Sequence, residues 1–72
     1  MTLLTTTDMD GDTLNLGDHV EVDATTHDYC GHSGEIVRIF KNSKMRIKPD
    51  CEYDPAFVAL PAEVALIYRG DS

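Results

Sequence analysis

Two glycine-punctuated segments constrain this chain more than any other feature: Gly17-Asp18-His19-Val20-Glu21-Val22 and Tyr29-Cys30-Gly31-His32-Ser33-Gly34-Glu35-Ile36. In the first, a Gly-Asp turn opens a strand in which Val20 and Val22 alternate with polar neighbours and point to one face. In the second, Gly31 and Gly34 precede a β-branched run through Ile36 and Ile39, which predicts a sharp bend at the start of a strand. Turn, alternating strand, polar loop, glycine bend and strand together predict a small, strongly bent β-barrel.

The rest of the chain follows the same grammar. Leu3 to Thr7 is β-prone, and Asp10-Gly11 within Asp8–Asp12 supplies a turn, with positive φ at the glycine. Leu14 and Leu16 alternate into the Gly17-Asp18 turn. Strands are expected at His19–Asp23, Glu35–Phe40, Lys44–Lys48, Phe57–Leu60 and Val64–Tyr68. Met45 and Ile47 then face inward, with Lys44, Arg46 and Lys48 outward. Pro61-Ala62-Glu63 reads as one helical turn, because proline fits the first turn of a helix. The organisation expected is an N-terminal extension or hairpin over 1–16, a barrel over 17–69 and a frayed tail at 70–72.

Seventy-two residues make one domain. A chain of this size buries only about 60% of its unfolded surface, which leaves little room for a deep, dry active site. No apolar run approaches the ~20 residues needed to span a bilayer, and Met1 to Thr5 lacks the basic and apolar regions of a signal peptide. Cys30 and Cys51 are too few for a disulfide framework and read as free thiols of a reducing compartment. A cytoplasmic location is the resulting expectation.

The 13 acidic and 6 basic residues, net charge −7, are segregated along the chain. Residues 1–37 hold eight acids and no Lys or Arg, whereas 38–48 hold Arg38, Lys41, Lys44, Arg46 and Lys48 and no acid. Acids return at Asp50, Glu52 and Asp54. Such a distribution predicts two faces that select partners of opposite charge.

Gly17-Asp18-x-Val20-x-Val22, followed by Tyr29-x-Gly31-x-x-Gly34-x-Ile36, resembles the KOW motif of transcription elongation factors and several ribosomal proteins. The leading Asp10-Gly11 turn also resembles small phage and bacterial proteins that begin with a hairpin. The motif covers roughly residues 10–48. The resemblance implies an all-β, SH3-like five-stranded barrel with a 3₁₀ turn before the last strand. It also implies nucleic-acid binding, for which relatives place Lys or Arg around the first loop. Here that loop is Asp23-Ala24-Thr25-Thr26-His27-Asp28, with two acids and no base. Phosphate repulsion opposes binding there.

The leading functional expectation is therefore a small non-catalytic module that binds a partner protein. Asp23, Asp28, Asp50, Glu52 and Asp54 steer a basic partner, and exposed Tyr29 and Tyr53 supply contact area. An accessory subunit, a regulator or a phage-type inhibitor would all use such a surface. The alternative is a nucleic-acid or ribonucleoprotein binder acting through the basic hairpin Arg38, Lys41, Lys44, Arg46 and Lys48, with Phe40 beside it. His27, Cys30 and His32 are metal-type ligands on one loop, but their spacing matches no zinc pattern, so no metal is expected. Asp8-x-Asp10-Gly11-Asp12 lacks the remaining positions of a calcium loop. Cys30 with His32 has no orienting third group, and Ser33 with His32 and Asp28 is equally unspecific, so no enzymatic activity and no cofactor are expected.

Overall fold

Asp10-Gly11 reverses the chain between two short strands, β1 (Thr6–Thr7) and β2 (Thr13–Leu14), which pair antiparallel. The structure is a computed structural model that describes residues 4–51 and 53–70. After the hairpin come β3 (His19–Val22), β4 (Ser33–Ile39), β5 (Met45–Pro49), β6 (Phe57–Ala59) and β7 (Val64–Tyr68), with a 3₁₀ turn at Pro61–Glu63 before β7. The last five strands form one antiparallel sheet in the order β6-β5-β4-β3-β7. The described residues are thus all-β, and no helix among them is long and apolar enough to cross a membrane.

Alternation decides which side of each strand is buried. Val20 and Val22 of β3, Ile36 and Ile39 of β4, and Met45 and Ile47 of β5 all point inward. They meet Phe57 and Ala59 of β6, Val64 of β7 and Leu14 of the hairpin in a single core. Lys44, Arg46 and Lys48 are exposed. Leu14 is fully buried, which makes the N-terminal hairpin part of the core rather than an appendage. Register shifts at His19/Val20 and Ile36/Arg38 insert extra residues, which bends the sheet around that core.

The sheet does not close. β6 pairs only with β5 and β7 only with β3, so among the described residues the closed barrel expected from the sequence is absent. The far side of β7 is already occupied: the Met9 N–H donates to the Val64 carbonyl at 2.8 Å, and the Leu66 N–H donates to Asp8 Oδ2 at 3.0 Å. The turn between β1 and β2 therefore takes the position a closing strand would need.

Other departures are local. The first strand is Thr6–Thr7 rather than Leu3–Thr7; Leu4 is exposed, and Leu3 lies outside the described residues. Leu16 belongs to the turn before β3 and is 55% exposed. Pro49, expected in a loop, ends β5 opposite Gly34. Its ring costs no ladder bond, because residues 45, 47 and 49 aim at β6, whose pairing stops at Ile47 opposite Phe57. Gly70, expected to begin a frayed tail, donates its N–H to Asp18 Oδ1 at 3.1 Å. A Cβ on Gly70 would overlap the Gly17 backbone, so this approach requires a bare backbone. Residues 71 and 72 lie outside the described residues.

Candidate functional site

The β4–β5 hairpin carries the basic segment to one end of the sheet. Its tip is fixed by Phe40 N–H to the Lys44 carbonyl at 2.9 Å and Ser43 N–H to the Phe40 carbonyl at 3.0 Å, with Ser43 at φ 72°. The Thr6 hydroxyl donates to the Ser43 carbonyl at 2.7 Å, which ties the tip to β1. Beside this turn lies an open groove of about 610 Å³ lined by Phe40, Lys41, Asn42, Lys44 and Val58. The Arg38 guanidinium sits over the Phe40 ring, 5.1 Å from its centroid.

Arg38 of β4 stands directly opposite Arg46 of β5, and Arg46 stands opposite Val58 at the groove. Like charges in direct cross-strand register destabilise a sheet unless a counter-charge joins them. Among the described residues the acid–base contacts are His19–Asp50, His32–Asp54 and the ion pair Arg69–Asp18, and none involves Arg38, Lys41, Lys44, Arg46 or Lys48. Two cations, Lys41 and Lys44, thus line the groove and two more, Arg38 and Arg46, flank it, without a neutralising partner among the described residues. Lys48 is set apart, in register with Glu35.

Asp50 and Asp54 occupy the other end of the hairpin, about 20 Å away along the seven residues of β4, whereas the loop that carries Asp28 reaches β6 through His27. The loop before β4 and the loop after β5 meet there. Ser33 Oγ donates to Asp50 Oδ2 at 2.9 Å, His19 Nε2 lies 2.9 Å from the same oxygen, and His32 Nδ1 lies 3.5 Å from Asp54. Asp23 and Asp28 are exposed, and Tyr53 is 88% exposed. Tyr29 is only half-exposed: its ring stacks on Phe57, with centroids 4.4 Å apart and planes 6° apart. Tyr29, expected to be exposed, is thus partly buried against the core. Glu52 lies outside the described residues.

His27 is engaged at both nitrogens. Nδ1 accepts the Tyr29 N–H at 3.0 Å, which leaves Nε2 to carry the proton donated to the Val58 carbonyl at 3.1 Å. Cys30 and Cys51 are exposed free thiols, and among the described residues no group of three His, Cys, Asp or Glu side chains could hold a metal ion. The His19–Asp50–Ser33 cluster joins β3, β4 and the loop after β5, with His19 stacked on Tyr68 at 4.7 Å. Asp50 lies 31 residues from His19 and 17 from Ser33, and no sequence motif signals the cluster. It is not a nucleophile relay, because the Ser33 hydroxyl donates to the carboxylate and not to the imidazole.

Three carboxyls titrate below their ordinary 3.8. Burial alone would raise Asp8, but the backbone N–H groups of Leu66, Asp12, Asp10 and Gly11 outweigh it. At Asp18, burial is likewise overcome by the Asn15 and Gly70 N–H groups and by the Arg69 guanidinium. At Asp50, His19 and Ser33 overcome desolvation. Asp8 and Asp18 are buried staples of the fold, whereas the Asp50 side chain is 57% exposed.

Comparison with protein-family models, curated proteins and solved structures returns no match to this chain. The electrostatics and shape of its two ends therefore carry the functional reading.

Proposed function

We propose that this chain is a non-catalytic binding module of SH3-like, KOW-resembling architecture that holds single-stranded nucleic acid at the tip of its basic hairpin. One observation carries the reading: Lys41 and Lys44 line the Phe40–Val58 groove, Arg38 over Phe40 and Arg46 opposite Val58 flank it, and none of the four has an acidic partner among the described residues. Phosphates would neutralise the opposed Arg38 and Arg46, and a base would lie against the apolar floor of Phe40 and Val58. The motif's usual basic loop is acidic here, and the charge resides one hairpin later. Five antiparallel strands with a 3₁₀ turn before the last support the SH3-like assignment. Exposed free thiols fit a reducing cytoplasm.

The decisive experiment is anisotropy of a labelled oligonucleotide titrated with protein over a range of salt. For about four phosphate contacts on a single strand, log K falls with log salt at a slope near −3. Alanine at Lys41, Lys44 and Arg46 abolishes binding at moderate salt, whereas Lys48→Ala changes it little. Equal binding by the triple variant and the unaltered chain refutes the proposal.

A second reading concerns the acidic loops. Tyr53 projects beside Asp54, and Asp23 and Asp28 make no ion pair among the described residues. That surface suits a basic partner protein, as an accessory subunit, a regulator or a phage-type inhibitor would require. A lysine-rich peptide that binds the unaltered chain and an Asp23→Asn, Asp28→Asn variant equally well rules it out.

A further inference from the structure

An open sheet has two edges, and each invites pairing with another chain. The β7 edge is closed by Asp8 and Met9. The β6 edge is closed differently, by side chains. Residues 45 and 47 of β5 aim at Ala59 and Phe57, so Phe57 and Ala59 spend their backbone groups on β5. Val58 and Leu60 consequently direct their N–H and C=O groups away from the sheet. The Leu60 N–H donates to Glu63 Oε1 at 2.8 Å, and the Leu60 carbonyl accepts the Glu63 N–H at 3.0 Å. The Val58 carbonyl accepts His27 Nε2–H at 3.1 Å. Two contacts hold the imidazole in place: the Tyr29 N–H fixes its tautomer, and its ring lies 5.4 Å from the Phe57 ring.

We propose that His27 is the plug of the β6 edge, and that without it β6 pairs antiparallel with β6 of a second copy of this chain. The edge is self-complementary about Val58. Across a two-fold axis each Val58 N–H meets the other copy's Val58 carbonyl, the double bond of an antiparallel pair. The exposed Val58 and Leu60 side chains, 42% and 43% accessible, are brought together in the same step. Hydrogen bonding and apolar burial thus favour the same partner, and one side chain, His27, stands across the carbonyl that the pairing needs. Glu63 limits the edge at its other end, so the open stretch is centred on a single residue.

Sedimentation of His27→Ala tests this. Alanine removes the ring and both nitrogens from in front of the Val58 carbonyl. The unaltered chain sediments as a monomer, and His27→Ala at about 100 µM sediments at twice that mass or more. Adding Val58→Pro restores the monomer, since proline removes the N–H needed by the partner and none used by β5. A folded His27→Ala that stays monomeric overturns the proposal, as does a dimer that survives Val58→Pro. Amide exchange in the unaltered chain provides a test independent of variant folding. The Val58 N–H exchanges at least tenfold faster than those of Phe57 and Ala59, and equal protection of all three overturns the edge geometry.

Discussion

The Asp8 carboxylate accepts the Leu66 N–H at 3.0 Å, joining residues 58 positions apart. Its other oxygen accepts the N–H groups of Asp10 at 3.0 Å and Asp12 at 2.8 Å. One buried side chain therefore both shapes the first hairpin and fastens it along β7. Asp8→Ala leaves three donors without their acceptor and costs roughly 2–4 kcal/mol, since charged hydrogen bonds contribute about 1.5–3 each and water reaches the turn. Asp8→Asn keeps one acceptor oxygen and loses less. Urea denaturation of the two variants measures the difference, and an alanine variant as stable as the parent contradicts the staple.

Acid should loosen the same staples. The Asp8 and Asp18 carboxyls titrate below 3.8 in the folded chain, so the unfolded chain binds more protons as the pH drops. Their stabilisation is complete above that value and disappears as the pH falls through the lower folded values. Urea midpoints are expected to be flat from about pH 7 to 5 with respect to these two groups and to fall below about pH 4. Asp8→Asn with Asp18→Asn lowers the neutral plateau and flattens the acid limb. An unchanged acid limb in that variant would show that other groups govern it.

Gly34 faces Pro49 across β4 and β5, and a Cβ there would strike the Lys48 carbonyl and the Ile47 side chain. Backbone cannot yield as a flexible side chain can, so Gly34→Ala separates the strands and costs about 2–3 kcal/mol. Gly31 has φ +89° but open space around it, so Gly31→Ala incurs only backbone strain, about 1 kcal/mol. Thermal unfolding of both variants ranks them, and the reverse order contradicts the strand spacing.

Tyr29 separates a structural role from a contact role. Stacked on Phe57 against the core, it predicts that Tyr29→Ala destabilises the chain by about 2 kcal/mol. Tyr53→Ala, at a highly exposed ring, leaves stability within about 0.5 kcal/mol. Equal effects of the two substitutions would mean that the stack contributes nothing.

Alternation located β3 to β7 within a residue or two and assigned Val20, Val22, Met45 and Ile47 to the core, because strand period and turn chemistry are local. The basic hairpin was legible as a charge run. The groove was not, since Val58 reaches it from β6 through register with Arg46. Tyr29 was expected to be exposed from its place in a polar loop; its stack on Phe57 depends on a residue 28 positions later.

By itself the sequence determined the local layer: where strands run, where glycine and aspartate reverse them, which side of each is apolar and which stretch is basic. Tertiary structure decided how those strands end. Asp8 and Met9 cover β7, His27 and Glu63 cover β6, and Asp18 holds Gly70. The physical reason is that a backbone N–H at a sheet edge can donate to, and a C=O accept from, any partner of suitable geometry. Only the folded chain sets which side chain, up to 58 positions away, arrives at it.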